Sequence, residues 1–314
     1  MANFDPRKQH KEQEEIFFDD GREMELLQFI YDKQDIEDIR GSPHKVLAAI
    51  DEFARTKKYL MNVGEDRGRI ITDLIAGMKP QVMVELGGYV GYSCILFGNA
   101  LRKAGGKKYF SLERNPDFVT AISSLVDLAG LSDIVQVIEG SSDASIKELH
   151  VAGTLRHVDL MFLDHYKPAY TTDLKLCEEL NLIAPGSVFA ADNVIKPGNP
   201  PYLEYVRSSV EQKKQATKAV QTVSGVDTRF ADRTANQYLQ REGEVKLDET
   251  RVGNPLLIYD SRLVHSFEPS GVPVSAHTGF KCFHILTEST RTVSKLRDAL
   301  ELQKQAATPR HEAI

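Results

Sequence analysis

The chain has 314 residues, enough for one large domain or two small ones. Hydrophobic residues make up 41% and charged residues 27%, which is ordinary globular composition and argues against wholesale disorder. The formal net charge of −6 gives no general attraction to nucleic acid or to anionic membranes, so neither is the expected partner.

The three cysteines, Cys94, Cys177 and Cys282, are widely spaced and odd in number, so they cannot form a complete disulfide framework. We interpret them as reduced thiols, which are typical of a cytosolic compartment. The first twenty residues contain no signal-peptide-like apolar run, and no stretch approaches the ~18 apolar residues that span a bilayer. The expected location is the cytoplasm.

The first forty residues are dense in charge but place apolar side chains at helical spacing between Leu26 and Tyr31. This pattern predicts an amphipathic helical arm over residues 1–43, and charged arms of this kind leave a homodimer possible. A second helix is predicted over 42–60, where Pro43 suits a first turn and several apolar residues share one face.

From residue 80, short apolar runs alternate with amphipathic stretches. The runs predict strands at 82–86, 109–113, 135–140, 160–164 and 187–192, and the stretches predict helices at 92–103, 116–129, 142–149 and 171–181. Nearly uninterrupted hydrophobic runs are typical of parallel strands buried on both faces. The predicted fold class is therefore α/β, with an open, doubly wound sheet.

The pattern is less regular after Pro201. It predicts a helix over 202–220, a polar insertion over about 218–254, two strands around 256–268 and 279–287, and a charged C-terminal helix and tail over 291–314. Residues 44–290 are therefore expected to form a single domain that contains the insertion.

A glycine-rich turn follows the first predicted strand, in the order Glu85-Leu86-Gly87-Gly88-Tyr89-Val90-Gly91-Tyr92-Ser93. Glycines between a buried strand and a helix let a ligand approach the backbone, and the helix N-terminus attracts an anionic group. This turn lacks the Gly-x-Gly-x-x-Gly spacing of dinucleotide sites. Its Glu-x-Gly-x-x-x-Gly pattern favours S-adenosylmethionine over NAD.

Glu113 closes the second predicted strand, 22 residues beyond Gly91. A carboxylate at this point can accept hydrogen bonds from both ribose hydroxyls of a nucleoside cofactor. The alternative is a glycine-tightened connection with an exposed glutamate.

Two other predicted strands end in carboxylates, Asp164 and Asp192, and Asn193 follows directly. The carboxyl ends of parallel strands meet at one edge of an open sheet, so these side chains are expected to converge. Three hard oxygen ligands without a nearby Cys-x-x-Cys motif or histidine cluster favour Mg²⁺. The alternative is that the aspartates only cap helices.

Lys167 lies three residues after Asp164. A neighbouring metal ion disfavours the charged form of a lysine and so makes it a candidate general base. The same metal ion would acidify a hydroxyl bound to it. The alternative is a solvated surface lysine.

Five segments in unbroken order resemble the catechol O-methyltransferase family. They are MNVGEDRGRII (61–71), VELGGYVGYS (84–93), ERNPDF (113–118), FLDHYK (162–167) and ADNVIKPG (191–198). The resemblance covers about residues 44–208. It implies a Rossmann-like, seven-stranded and mostly parallel sheet whose last strand is antiparallel, and a class I methyltransferase domain that uses S-adenosylmethionine and Mg²⁺.

The resemblance also implies roles for individual residues. Metal ligands would be Asp164, Asp192 and Asn193, and the catalytic residues would be Lys167 as general base together with Asp164 and Asn193. Cofactor contacts would come from the Val63 backbone, Glu85, Gly87, Tyr89, Ser93, Glu113, Ser142, Asp143, Asp164 and His165. Substrate contacts would come from Met61, Tyr166, Lys167, Asn193, Pro197 and Glu268.

Some residues depart from the family pattern. The chain contains no tryptophan, and Tyr59 and Tyr166 stand where the family walls its catechol slot with tryptophan. A tyrosine keeps an aromatic face but has less area and adds a hydroxyl. Glu268 is the best candidate for the family's substrate-orienting glutamate.

The expected function is Mg²⁺-dependent transfer of a methyl group from S-adenosylmethionine to one hydroxyl of a catechol-type small molecule. One alternative is a metal-dependent O-methyltransferase of another vicinal diol, such as a caffeoyl-type phenolic or a secondary metabolite. A second alternative is a noncatalytic S-adenosylmethionine-binding protein, although binding alone does not require the set formed by Asp164, Lys167, Asp192 and Asn193.

Overall fold

A computed structural model describes residues 4–219, 247–271 and 282–288, and it describes no side chains for 196–197, 217–219 and 282–288. Most of the predicted insertion and the whole predicted C-terminal helix lie outside these residues. The division into an arm, a domain and a tail therefore stays a prediction. In the described part of the chain, no helix has the length and apolar character needed to cross a membrane.

A seven-stranded sheet forms the centre of the molecule. Its strands are β1 (Val82–Leu86), β2 (Lys108–Glu113), β3 (Val135–Glu139), β4 (Leu160–Leu163), β5 (Val188–Ala191), β6 (Tyr259–His265) and β7 (Cys282–Glu288). The strand order is β3-β2-β1-β4-β5-β7-β6. Strands β1 to β5 pair in parallel, and β7 runs antiparallel to both of its neighbours. The predicted α/β sheet with an antiparallel last strand is confirmed.

Helices cover both faces of this sheet. They are α1 (Arg22–Tyr31), α2 (Ile36–Ile39), α3 (Pro43–Thr56), α4 (Gly64–Met78), α5 (Tyr92–Lys103), α6 (Pro116–Leu128), α7 (Ser142–Val151), α8 (Ala169–Glu179), α9 (Pro200–Arg207) and α10 (Val210–Ala219). Successive side chains of a strand point to opposite faces of the sheet. On β1, Met83 therefore lies in the core that α1 and α3 to α6 cover, whereas Val84 and Leu86 lie in the core that α7 to α9 cover. The sheet is therefore doubly wound.

The helix predicted over 202–220 is two helices. Ser208 is extended, and Ser209 begins a new helix with a reciprocal cap. The Ser209 hydroxyl accepts a hydrogen bond from the Gln212 amide at 3.3 Å, and the Gln212 side chain accepts one from the Ser209 amide at 2.8 Å. This Ser-x-x-Gln pattern is a capping box that the apolar spacing alone did not reveal.

The end of the predicted insertion docks on α8. The Glu179 carboxylate accepts hydrogen bonds from the Val252 and Gly253 amides at 2.9 and 3.0 Å, and it pairs with Arg251 at 2.9 Å. Residues 247–254 are therefore anchored to the domain, whereas residues 220–246 lie outside the described part of the chain.

Candidate active site

The carboxyl ends of β1, β4 and β5 bring the predicted site residues to one edge of the sheet. Backbone pairing continues past the strand ends, because the Asp164 amide donates to Leu86 and the Asp192 amide donates to Leu163, both at 2.9 Å. Gly87 has a φ of +88°, and a Cβ there would lie 2.7 Å from the Asp164 carbonyl oxygen. Only a residue without a side chain lets the two connections approach so closely.

Glu113 ties the end of β2 to the glycine-rich turn. One carboxylate oxygen accepts hydrogen bonds from the Gly88 and Tyr89 amides at 3.1 Å, and the other accepts them from Arg114 and Asn115 at 2.8 and 2.9 Å. Glu113 is buried, which rules out the exposed-glutamate interpretation. Its contact with a ribose stays a prediction.

Glu85 lies on β1 beneath the turn and is fully buried. One of its oxygens accepts hydrogen bonds from the Cys94 thiol at 2.8 Å and from the Ser111 hydroxyl at 3.0 Å. Burial disfavours the charged carboxylate and raises the pKa of Glu85 from 4.5 to about 7, despite these hydrogen bonds. A cationic group bound here would favour the ionised form.

We expect Glu85 to make stability fall as pH rises from about 4.5 to 7. The pKa of Glu85 is higher in the folded state than in the unfolded chain. Between about pH 4.5 and 7 the folded protein therefore keeps the Glu85 proton, whereas the unfolded chain releases it, so rising pH favours unfolding. The shift corresponds to roughly 3 kcal/mol of unfolding free energy, present below pH 4.5 and lost above pH 7. In Glu85→Gln, the free energy of unfolding measured with urea should not show this fall between about pH 4.5 and 7. If the free energy of unfolding falls equally in both proteins, other groups cause the pH dependence.

Three other predicted cofactor residues lie at the start of α4, in the turn and on α5. Val63 immediately precedes α4, and Ser93 lies in the first turn of α5 with 8% of its surface exposed. The Tyr89 ring packs edge-on against Phe118, with 5.1 Å between the ring centroids, so this side chain is directed onto α6. Met61, which is a predicted substrate contact, is partly buried and packs against the core.

His165 and Ser142 share a buried partner that the sequence analysis missed. The Asp173 carboxylate accepts a hydrogen bond from the Ser142 hydroxyl at 2.5 Å and lies 2.8 Å from His165 Nε2. The His165 ring also stacks on Tyr170, with centroids 4.9 Å apart. The neighbouring Asp143 instead pairs with Lys147 on its own helix. The structure thus joins two of the predicted cofactor residues, Ser142 and His165, through Asp173.

Asp164 and Asp192 lie side by side because β4 and β5 are adjacent parallel strands, with Leu163 paired to Ala191. Asn193 has a φ of +61°, and its buried side-chain oxygen accepts no hydrogen bond from the described residues. Burial raises the pKa of Asp164, even though Lys167 opposes the shift. Two carboxylates and an unsatisfied amide oxygen are donors that suit Mg²⁺. Within the described residues, no group of three His, Cys, Asp or Glu side chains is placed to hold a metal.

Arg67 is a further residue of this site. Its guanidinium donates to Asp192 Oδ2 at 2.7 Å and to the Val63 and Asn62 carbonyl oxygens at 3.0 and 2.8 Å. Burial alone would lower the pKa of Arg67, but the charges of Asp192, Asp164 and Glu268 outweigh burial and raise it. The ion pair joins residues 125 positions apart, and neither strand patterns nor spacing indicates such a contact.

Lys167 is buried, with 3% of its surface exposed, so it is not a solvated surface lysine. Its Nζ donates to Asp164 Oδ1 at 3.0 Å and to the Tyr170 hydroxyl at 2.6 Å. Asn199 fixes the local backbone by donating to the Lys167 carbonyl oxygen at 2.7 Å. The ammonium group therefore lies beside the predicted metal ligands, held by α8 and the loop before α9.

The predicted substrate residues are only partly described. Glu268 follows β6 in a turn, and its charge contributes to the raised pKa of Arg67. Its contact with substrate stays a prediction. Tyr59 is buried, and Tyr166 is half-buried in the loop that carries Lys167. The side chain of Pro197 lies outside the described residues.

A doubly wound sheet with a glycine-rich turn after β1 and carboxylates after β4 and β5 defines a Rossmann-like α/β protein, a class in which ligands bind outside the carboxyl ends of the strands. The O-methyltransferase family model matches residues 37–230, which is more than half of the chain. The chain therefore belongs to the O-methyltransferase family.

Individual relatives agree with this assignment. Catechol O-methyltransferase B of Danio rerio is 40% identical over 55% of this chain and 65% of its own length. Catechol O-methyltransferase of Bos taurus is 39% identical over 54% of this chain and 62% of its own length. Transmembrane O-methyltransferase of Homo sapiens is 34% identical over 54% of this chain and 57% of its own length. The chain thus spans less than two thirds of the length of these relatives.

A solved O-methyltransferase from Bacillus cereus aligns with 86% of this chain and 97% of its own chain at 17% identity, with a TM-score of 0.46.

Proposed function

We propose that this chain is an S-adenosylmethionine- and Mg²⁺-dependent O-methyltransferase that acts on one hydroxyl of a catechol-type small molecule. One observation carries the proposal. The glycine-rich turn contacts the Asp164 backbone directly, and Asp192, Asn193 and Lys167 lie at the same sheet edge. A methyl donor bound on the turn and a diol held at the carboxylates would therefore be neighbours. The similarity to two catechol O-methyltransferases supports the substrate class.

Each residue has a defined task in this proposal. Asp164, Asp192 and Asn193 would hold Mg²⁺, which supplies positive charge that acidifies a phenolic hydroxyl. Lys167 Nζ, once neutral, would accept the phenolic proton. The substrate oxygen would then take the methyl group, and the sulfur would keep the electron pair of the broken bond. Most of the rate enhancement would come from alignment of the two reacting atoms.

Methyl transfer from labelled S-adenosylmethionine to catechol, with Mg²⁺ and then with EDTA, tests the proposal. We expect transfer that is lost on chelation and restored by added Mg²⁺. Transfer that persists in EDTA would contradict the metal role. Cofactor binding by calorimetry without transfer to catechol would favour a different diol or a noncatalytic protein. Absence of cofactor binding would overturn the assignment of the glycine-rich turn.

A further inference from the structure

Residues 4–11, here called the N-terminal segment, lie along the turn formed by residues 266–271, here called the Glu268 turn. The His10 amide donates a hydrogen bond to the Pro269 carbonyl oxygen at 2.9 Å. The Phe4 ring packs on the Phe267 ring with centroids 5.8 Å apart, and it also covers Gly271, where a Cβ would lie 2.7 Å from it. The segment therefore contacts both the start and the end of the turn.

The N-terminal segment is itself fixed to the body of the domain. His10 is buried, and its Nε2 lies 3.2 Å from the Asp51 carboxylate on α3. The next amide, from Lys11, donates to the Ala54 carbonyl oxygen at 2.9 Å, also on α3. Lys8 pairs with Glu65 on α4 at 2.6 Å, but both side chains are about half exposed, so this pair adds little. The buried histidine is the main anchor.

The contacts within the turn are local. The Gly271 amide donates to the Glu268 carbonyl oxygen at 2.9 Å, and the Ser270 hydroxyl lies 3.4 Å from the Glu268 carboxylate. Local bonds shape a turn but do not fix it relative to the sheet. The turn directly continues β6, and Phe267 forms a β-bridge, so pairing restrains its start. The N-terminal segment and Gly64, against which the Pro269 ring packs, restrain the part that follows Phe267.

A cavity of about 110 Å³ lies between the two elements. Phe4, Lys8 and His10 line it from the segment, and Phe267, Glu268 and Pro269 line it from the turn. The Pro269 ring packs on Gly64 at the start of α4, next to Val63, whose carbonyl oxygen accepts a hydrogen bond from Arg67. Arg67 in turn pairs with the predicted metal ligand Asp192. A movement of the turn would therefore move Glu268 relative to the end of α4 that borders the candidate active site.

We propose that the N-terminal segment is a positioning element of the substrate site, which holds the Glu268 turn so that the Glu268 carboxylate meets the substrate. The inference deepens the proposed function and rests on it for the identity of the substrate. Phe4 and His10 act through Glu268 and touch no reacting atom, so their loss weakens substrate binding and leaves cofactor binding unchanged.

The first test is hydrogen exchange of the peptide that contains residues 266–271, measured in His10→Ala and in Phe4→Ala. Both variants should exchange faster there than the unchanged chain. Arg7→Ala is the matched control, because Arg7 lies in the same segment, is highly exposed and forms its ion pair, within the described part of the chain, with Asp5. Exchange that stays unchanged in both variants, or that rises equally in Arg7→Ala, overturns the proposal.

The second test measures KM for catechol and the Kd for S-adenosylmethionine in the same proteins. We expect KM to rise about five- to tenfold in His10→Ala, as for one lost positioning contact, with the cofactor Kd unchanged. In a Glu268→Gln background the additional His10→Ala change should have no further effect on KM. An additive effect, or an unchanged KM despite faster exchange, overturns the proposal. If the unchanged chain does not methylate catechol at all, the proposed function fails, and the exchange comparison still decides whether the segment holds the turn.

Discussion

Replacement of Lys167 by methionine is expected to reduce methyl transfer to catechol by about 10²- to 10⁴-fold, the usual contribution of a positioned general base. Methionine keeps much of the side-chain length and apolar volume but has no atom that accepts a proton. Lys167 contacts Asp164 and Tyr170 and makes no contact with the glycine-rich turn among the described interactions. The Kd for S-adenosylmethionine, measured by calorimetry, should therefore change little.

The matched control for this change is Lys108→Met. Lys108 is exposed and begins β2, at the end of the strand opposite to Glu113 and the candidate site. This variant should therefore retain full turnover. Turnover that survives in Lys167→Met would show that another base, or the metal ion alone, activates the hydroxyl. Loss of cofactor affinity together with turnover would instead indicate a disturbed sheet edge.

Replacement of Arg67 by methionine is expected to lower the free energy of unfolding by about 3–5 kcal/mol, because a buried charge then loses its partner. Asp192 is 1% exposed and receives the guanidinium at 2.7 Å, so no solvent can replace it. The same change leaves two carbonyl oxygens, of Asn62 and Val63, without their donor. Urea unfolding measures the loss.

Arg69→Met, on the same helix, is the matched control. Arg69 is 56% exposed and pairs with Asp66 at 2.7 Å, so its removal should change stability by less than about 1 kcal/mol. Arg67→Lys keeps the positive charge but loses the planar guanidinium with its paired donors. Its loss of unfolding free energy should lie between those of Arg67→Met and Arg69→Met. Equal losses in Arg67→Met and Arg69→Met would show that the buried pair contributes no more than a surface pair.

The fold could be predicted because its signals are local. Each of the first five strands is a short apolar run bounded by polar residues, and each predicted strand overlaps an observed one. Asp164 and Asp192 could be grouped for the same reason, since residues that end neighbouring parallel strands meet at one edge. The sequence of Gly87 to Gly91 indicated the turn, although not that Gly87 packs on the Asp164 backbone.

The contacts that secure the site could not be predicted in this way. Arg67 and Asp173 contact partners that folding brings next to them. The local sequence around an arginine near the start of a helix does not show whether its side chain faces water or a carboxylate. The four amides around Glu113 depend on the path of two separate loops. Helix α4 was not predicted, although Ile71 and Ile75 are fully buried and Ile70, Leu74 and Met78 pack beside them at helical spacing.

The two carboxylates proposed to hold the metal each have a counter-ion from the chain itself, Arg67 for Asp192 and Lys167 for Asp164. These cations offset the mutual repulsion of the two carboxylates in part, since Asp192 still raises the pKa of Asp164. If the proposed metal role holds, the chain would not need the ion in order to fold, in contrast to small zinc domains in which the ion drives folding. Metal supply would then regulate turnover rather than the lifetime of the protein.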